Sequence, residues 1–463
     1  MGRTALLLLL LLLAPGVSRA ALVGNIFSGP TTGDGASIYH NPGAMTLLSG
    51  THAMAFGAVS AIRLHYQRDT VSAYDDLPYP QANVFIAKPN VVLGVVTDAT
   101  LDRLRFGLGV TLPIIDGATW SEDYEGRPAS TRYFAINARQ LTFMISPAVA
   151  YRAARFISVG FGMDIIGVML HHDVMTDFGA KVNQMACAVN PGATCLMDTP
   201  LTREDPTYDA RTVIDGMGWG VGFFGGVLIT PTPWLRIGGS FHTGGVKTIS
   251  APVELSVDLP PAVTDFVARS LPSVTLPPLS ASADVDTVAP MIATFGVAAQ
   301  VTSKLELAAD LQWFDYSSTS LLVGTVREGD ALDLIHDQVL IKARTDSYLV
   351  GLRGAYQLWP TLRAALRLEY ENNTRPEEFT TPVSIDFHKI SFHLGVAWRV
   401  SRVVTLTAEY GHYFMPGRTV SHSRFAPNAR PTTPEEEGFD KNSPTGHYFV
   451  EADRLGVGLV LGF

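Results

Sequence analysis

The last ten residues, Arg454–Phe463, alternate between two kinds of side chain. Every second residue from Leu455 to Phe463 is apolar, and the residues between them are three glycines and one valine, with Arg454 before Leu455. Successive side chains of a β-strand point to opposite faces, so one face of this strand is apolar and the other is polar or lacks side chains. An apolar face that continues to the last residue is unusual in a soluble sheet but is expected where a barrel strand contacts lipid. The pattern predicts an all-β fold, a transmembrane antiparallel β-barrel.

The composition of the chain fits this prediction. Charged residues make up 17 % of the 463 residues, against about 25 % in ordinary soluble domains. The 42 glycines and 29 prolines suit a fold with many turns. The net charge of −9 gives no support for a nucleic-acid partner, and we expect none.

The N-terminal segment Met1–Ala20 has the features of a cleaved signal peptide. Arg3 supplies the positive charge, Ala5–Ala14 is an apolar run too short to span a bilayer, and Ser18-Arg19-Ala20 fits the small-x-small cleavage pattern. A retained N-terminal anchor is the alternative. We expect export by a cleaved signal peptide, followed by residence in the bacterial outer membrane as a multi-pass barrel.

Alternating segments recur throughout 51–463 and define the predicted barrel. We count fourteen strands, joined alternately by short turns and longer loops, as expected when short turns face the periplasm and long loops face outward. The long outer loops lie near 176–210 and 250–287, and the second strand is predicted to begin at Asn90. Twelve or sixteen strands are the alternatives.

Ionic residues recur on the polar face of the predicted strands, which would line the lumen of a barrel. Those expected in the lumen are Glu306, Asp310, Arg353, Arg363, Arg367, Glu369, His393, Arg399, Glu409 and Arg454. We interpret them as a lining whose charges neutralise one another. A polar path, or a site for a ligand carboxylate, is the alternative.

Three further patterns are weighed and set aside. Gly220–Gly225 matches the dinucleotide-binding spacing but lies inside a predicted strand, where the required strand-to-helix turn is absent. His171 and His172 are adjacent and would point to opposite faces of a strand, which favours polar rim residues over a metal site. No Ser/His/Asp order indicates a hydrolase triad. We therefore predict no enzyme activity, no catalytic residues, no metal and no cofactor.

Cys187 and Cys195 are the only cysteines in the chain. A close pair in a turn-rich loop of an exported protein favours a disulfide. A metal site is the weaker alternative, because no histidine accompanies the two sulfurs.

The segment Pro260–Leu271 is predicted to form a short helix in the second long loop. Val263, Phe266, Val267 and Leu271 would share one face of that helix. An apolar helix on an outer loop would offer a surface for hydrophobic molecules. A helix that only caps the barrel mouth is an equal alternative.

A motif near the mature N-terminus resembles a known family. The residues that carry it are Asp34, Ala36, Ser37, Ile38, Tyr39, Asn41 and Pro42. Together with the strand count and the terminal Phe463, they resemble the FadL-like family of outer-membrane transporters for long-chain fatty acids and other hydrophobic compounds. The motif covers some twenty residues; the remaining agreement is one of layout.

The resemblance implies several features beyond the strand pattern. It implies a fourteen-stranded barrel whose lumen holds an N-terminal plug, the hatch, here residues 21–50. It also implies outer loops that form a hydrophobic entry groove, and sideways exit of substrate at a kinked third strand, for which Pro113 is the candidate. The gating residues expected in the hatch are Asp34, Ser37, Asn41, Pro42 and Gly43, where Gly43 replaces the alanine usual in the family.

The function that follows from the resemblance is passive uptake of long-chain fatty acids or related hydrophobic compounds through the outer membrane. The expected partners are outer-membrane lipid and a hydrophobic small molecule such as a long-chain fatty acid. Transfer between apolar surfaces would reduce the exposure of such a molecule to water. A general solute porin, an outer-membrane enzyme and a structural barrel are the alternatives.

Overall fold

The computed structural model describes residues 23–177, 179, 204–245, 249–270, 279–287, 289–319, 321–329, 338–341, 344–423 and 444–463. The predicted signal peptide Met1–Ala20 lies outside the described residues. So do Cys187, Cys195 and Leu271, so the predicted disulfide stays a prediction.

Strands dominate the described part of the chain. In chain order they are β1 (Thr51–Arg68), β2 (Ala82–Thr97), β3 (Leu104–Thr119), β4 (Asp123–Tyr124), β5 (Arg127–Pro128), β6 (Asn137–Ala154), β7 (Ile157–Asp177), β8 (Asp209–Thr232), β9 (Leu235–His242), β10 (Ile249–Asp258), β11 (Leu279–Thr287), β12 (Ile292–Gln300), β13 (Leu305–Phe314), β14 (Leu321–Gly329), β15 (Gln338–Ile341), β16 (Ser347–Trp359), β17 (Leu362–Glu371), β18 (Lys389–Arg399), β19 (Val404–Phe414), β20 (Arg418–Val420) and β21 (Gly446–Gly462).

Helices are short. The α-helices are α1 (Ser37–His40) and α2 (Pro261–Ser270), and 3-10 turns span Pro42–Leu47, Pro206–Tyr208, Ser317–Thr319 and Glu377–Phe379. The helix predicted at Pro260–Leu271 is therefore present as α2. None of the helices in the described ranges has the length and apolar character needed to cross a bilayer.

Fourteen antiparallel strands close into a barrel, as the sequence predicts. Their order around the wall is β1, β2, β3, β6, β7, β8, β9, β12, β13, β16, β17, β18, β19 and β21. The first and last strands complete the circle, with pairing that runs from His52 opposite Gly462 to Arg68 opposite Gly446. Closure gives the backbone groups of both terminal strands a partner, which hydrocarbon surroundings require.

The two faces of each strand have the predicted polarity. On β21, the outward-facing Leu455 and Val457 are 66 % and 68 % exposed. Arg454, on the inward face of the same strand, is 1 % exposed. Aromatic side chains stand on the outer face near strand ends, for example Trp398 and Tyr370. These outward apolar residues form the surface that contacts lipid.

Two strands and the helix α2 lie in the region 250–287, which the sequence analysis treated as a long loop. It contributes β10 and β11, which pair with each other and join the outer end of β8 through Val253 opposite Gly216. β14 and β15 extend this arrangement. The sequence analysis did not predict these strands: Val253 and Leu255 alternate within β10, but Pro252 of the same strand obscured the pattern.

The second strand begins at Ala82, eight residues before the predicted start at Asn90. Pro89 misled the prediction because proline cannot donate to a ladder. β2 pairs with β3 only from Val92 to Thr97, so its earlier residues lie at an edge on that side, where proline is tolerated.

This edge forms a break in the described part of the barrel wall. β3 pairs with β2 up to Thr111 and then continues to Thr119 with β6 alone. The register between β3 and β6 shifts between Thr111 and Ile114, at Pro113. Across the break, the Asn90 side-chain amide donates to the carbonyl of Leu112 at 3.4 Å.

A charge on the lipid face of β21 should destabilise the barrel. We expect Val457→Arg to lower the free energy of unfolding by about 2–4 kcal/mol, since the arginine would stand deep in the apolar band. Glu451→Arg, on the same face but nearer the outer rim, should cost only about 0–1 kcal/mol. Urea unfolding from lipid vesicles measures both. Equal losses in the two variants would contradict the assigned membrane position.

Candidate functional site: the hatch and the outer chamber

The hatch, described from Val23 to Gly50, folds as a series of tight turns. The Asp34 carboxylate accepts from the Ser28 hydroxyl at 2.7 Å and from the Ala36 amide at 2.9 Å. The Ser37 hydroxyl donates to the Asp34 carbonyl at 2.6 Å, at the start of α1. These bonds are local, so residues of the motif themselves hold the turn that precedes α1.

Asn41 joins the hatch to the wall. Its side-chain oxygen accepts from the Gly43 amide at 3.0 Å and so begins the 3-10 turn at Pro42. Its side-chain nitrogen donates to Pro30 O at 2.8 Å and to Val227 O of β8 at 3.0 Å. One buried amide thus holds two parts of the hatch and one barrel strand.

Several inward-facing positions of the strands around the hatch are glycines. A methyl group placed on Gly94 would lie 2.2 Å from Gly35 O, and one on Gly226 would lie 2.2 Å from the Asn41 side-chain oxygen. A methyl group on Gly160 would lie 2.5 Å from the Pro42 carbonyl carbon. These three glycines therefore allow the hatch backbone to approach the strands closely.

Gly43 lies in a space just large enough for its own backbone. A methyl group there would be 3.0 Å from Leu228 N and 3.1 Å from Ser158 O. An alanine at this position would require a shift of a few tenths of an ångström in the neighbouring atoms. Glycine at this position is thus matched to a close approach between the hatch and β7 and β8.

The opposite side of the hatch is held by buried ions. Arg353 donates to the carbonyl of Phe27 and pairs with Glu306 at 3.0 Å. Glu409 accepts from the Ile26 amide at 2.6 Å and pairs with Arg454 at 3.2 Å. Arg353 and Glu409 thus each have an oppositely charged partner, and each also forms a hydrogen bond with the hatch backbone.

The ionic lining continues above these contacts. Arg367 pairs with Asp310 at 2.5 Å and with Glu369 at 2.6 Å, and His393 lies 3.2 Å from Glu369. Arg363 is half-buried and pairs with Glu306 at 3.2 Å. The lumenal charges thus neutralise one another, as the favoured interpretation states. Arg399 was assigned wrongly: as the last residue of β18 it lies at the rim, where its side chain is exposed.

A buried polar chain links Tyr39 of the hatch to three strands. His242 donates to Tyr39 O at 2.8 Å through Nε2 and contacts Asp164 at 3.0 Å through Nδ1. Asp164 accepts from the Ser146 hydroxyl at 2.6 Å. This set resembles a hydrolase triad in composition only, because the histidine holds a backbone carbonyl and not the serine. Sequence reasoning missed it, since the three residues are far apart in the chain.

Buried apolar residues cluster in the lumen outside the hatch, and we call this region the outer chamber. Its members are Ile62, Leu64, Tyr66, Ala82, Val84, Ile86, Ala118, Trp120, Phe134, Ala135, Ala138, Val174, Val383, Ile385, Phe387, Tyr413, Met415, Val420, Tyr448, Val450 and Ala452. Two connecting segments, around 129–136 and 379–387, fold inward to complete it. Val23 lies in a neighbouring apolar cluster with Tyr39, Phe56 and Val168.

The predicted entry groove is described only in part. Val263 of α2 is fully buried, whereas Thr264 and Asp265 are exposed. The side chains of Phe266 and Val267 lie outside the described set, as does Leu271. The groove therefore stays a prediction. Among the described residues no group of three His, Cys, Asp or Glu side chains could hold a metal ion.

The arrangement defines a class: a membrane β-barrel whose lumen is closed by its own N-terminal segment. The family model described as outer membrane protein transport protein (OMPP1/FadL/TodX) matches residues 14–437. The chain belongs to this family, and it is a transport protein of the outer membrane, not an enzyme. No curated protein matches the chain in sequence.

Several solved structures share the fold. A Pseudomonas aeruginosa FadL homologue superposes with a TM-score of 0.76 at 16 % identity, covering 97 % of this chain and 100 % of that one. The P. putida toluene transporter TodX gives 0.63 at 12 % identity, covering 98 % and 99 %. The Ralstonia pickettii toluene transporter TbuX gives 0.60 at 16 % identity, also covering 98 % and 99 %.

A side chain on Gly94 should displace the hatch. We expect Gly94→Val to leave the barrel folded but to make residues 23–50 accessible to an added protease, because the new side chain would strike Gly35 O. Gly57→Val is the matched control, since no atom lies within 4 Å of a methyl group built there. Mass spectrometry of the fragments measures cleavage. Equal protection in the two variants would contradict the close docking.

Acid should weaken hatch docking through His40. Burial lowers the pKa of His40 to about 4, while its Nε2 donates to Val23 O at 2.6 Å. The docked state therefore binds fewer protons than the undocked state, and stability is lost as pH falls from about 6.5 towards 4. At pH 5 the loss is about 2 kcal/mol.

The measurement is hatch proteolysis at pH 7 and pH 5 in the original protein and in His40→Gln. Burial also raises the pKa of Asp34, which acts in the opposite direction. The difference between the two proteins isolates the contribution of His40, because Asp34 is common to both. The same pH dependence in both proteins would refute it.

Proposed function

We propose that this protein carries long-chain fatty acids or related hydrophobic compounds passively across the outer membrane. The molecule is captured at the outer loops, enters the outer chamber, and passes a hatch that moves to release it. The observation that carries this proposal is the apolar outer chamber directly outside the hatch. A water-filled pore would have a polar lining along its whole length.

The break between β2 and β3 supports a lateral exit. Above Thr111 the two strands have no backbone pairing, and Asn90 bridges them with one long side-chain bond. Pro113, at the register shift of β3, is proposed as the residue that keeps this part of the ladder open, because it lacks an N–H. Exit through the wall would deliver a hydrophobic molecule into lipid without exposure to water.

The hatch residues are assigned roles within the same proposal. Asp34 and Ser37 keep the turn that precedes α1, and Asn41, Pro42 and Gly43 form the contact that must loosen when the hatch moves. The contacts of Asn41 with both hatch and wall support this assignment, since the loss of one side chain would release both.

The proposal is tested by binding of a fluorescent long-chain fatty acid to the purified barrel in detergent, with toluene as competitor. We expect saturable binding that Phe266→Glu weakens several-fold, because the new charge would lie on the apolar face predicted for α2. Thr264→Glu, at an exposed position of α2, should leave binding unchanged.

Each outcome of this experiment has a separate meaning. Saturable binding that Phe266→Glu does not affect would retain transport and reject the groove on α2. Displacement by toluene would widen the substrate class to aromatic hydrocarbons. Absence of binding, together with open-channel conductance in a planar bilayer, would replace the proposal with a general porin.

A further inference from the structure

The outer chamber contains polar side chains that are buried without hydrogen-bond partners. His172 is 1 % exposed, and among the described residues neither of its ring nitrogens has a partner. The hydroxyl groups of Thr212 and Thr131, both on fully buried residues, are likewise unpartnered within the described ranges. Buried polar groups in proteins are nearly always hydrogen-bonded, so these exceptions, together with the Trp120 ring nitrogen and the Ser130 hydroxyl in the same region, require an explanation.

These groups lie on one side of the chamber. His172 and Thr212 face inward on β7 and β8, where Thr212 stands opposite Val174, two residues along from His172. The segment that contains Thr131 is joined to the same part of β7 by bonds from Ile136 N to Asp173 O at 2.8 Å and from Met175 N to Arg132 O at 2.9 Å. Polar groups from three chain segments therefore converge beside apolar walls.

An unpartnered buried donor or acceptor costs about 1–3 kcal/mol. A bound molecule that pairs with these groups would recover that cost and gain affinity and orientation. Ligand sites commonly combine apolar walls with a few convergent polar groups, and this region contains both kinds of residue.

The charges of the outer half indicate what kind of polar group fits. Three of its buried cations are paired with carboxylates: Arg68 lies 3.0 Å from Glu204, Arg132 lies 2.8 Å from Asp209, and Lys389 lies 2.8 Å from Asp386. An ionised carboxylate would enter without a cation to compensate it, at high cost. A neutral imidazole and two hydroxyl groups instead offer both donors and acceptors.

We propose that His172, Thr212 and Thr131 form a polar subsite that selects hydrophobic compounds with one uncharged hydroxyl group. The subsite would hold the hydroxyl while the apolar wall, including Val174 and Phe134, contacts the remainder of the molecule. This inference rests on the proposed transport function and narrows its substrate class, because a fatty acid would occupy the subsite only with its carboxyl group protonated and uncharged. The family match gives these residues no role, and they take no part in the ionic lining near the hatch.

The test is equilibrium dialysis of the purified, detergent-solubilised barrel with three probes of one shape: naphthalene, 1-naphthol and 1-naphthoate. We expect 1-naphthol to bind about five- to tenfold more tightly than naphthalene, as one or two neutral hydrogen bonds allow. The anionic 1-naphthoate should bind most weakly. Binding in parallel micelles without protein corrects each value for partition into detergent.

Variants identify the groups responsible. Thr212→Val and His172→Leu should each bring 1-naphthol to near parity with naphthalene while leaving naphthalene binding unchanged. His172→Asn, which keeps a donor and an acceptor, should retain part of the preference. Thr407→Val is the matched control, because Thr407 is also buried with an unpartnered hydroxyl among the described residues but lies on β19, outside the outer chamber.

Failure of the inference and failure of the transport proposal give different results. Binding of naphthalene and 1-naphthol with equal affinity in the original protein would overturn the subsite and leave transport intact. Tightest binding of 1-naphthoate would overturn the uncharged-group assignment. Loss of naphthalene binding in Thr212→Val would show that the threonine only shapes the chamber. Absence of binding by all three probes would overturn the subsite, whereas the transport proposal fails only if the fluorescent fatty acid also does not bind.

Discussion

A chain in hydrocarbon must satisfy every backbone hydrogen bond internally, and this constraint determines the architecture. The wall closes because β1 and β21 pair along their whole length. Closure creates a lumen that must then be filled or left open to water. Here the segment that precedes the first strand fills the lumen. The closed wall satisfies the backbone in lipid, and the plug occupies the space that closure creates.

Two different surfaces hold the plug. Glycines on β2, β7 and β8 allow backbone contact, with Asn41 as the central polar tie. Buried ion pairs on β13, β16, β19 and β21, centred on Arg353 and Glu409, supply partners to the first residues of the hatch. The glycine side depends on shape and the ionic side on charge, so changes in pH or in side-chain volume act on different halves of the same contact.

Much of this fold could be predicted from the sequence, because strand periodicity in 51–463 is a local property. The strand number and the lipid-facing residues of β13, β17, β18 and β21 follow from it. Prolines obscured β2 and β10, since a sequence does not show which side of a strand is an edge. The outer chamber and the link from Tyr39 to His242 depend on segments that fold inward without any periodic signal, so only the structure brings them together.

The backbone passes from the plug into the wall at Gly50. It has a φ of +77°, and a methyl group there would lie 2.1 Å from Phe463 O. The next residue, Thr51, exchanges backbone hydrogen bonds with Phe463, at 3.1 Å and 2.9 Å. The bonds that close the wall here join residues far apart in the chain, and such non-local pairing is slow to form. The plug is tethered beside these bonds, so a side chain at Gly50 would disturb the start of the plug and the seam of the wall together.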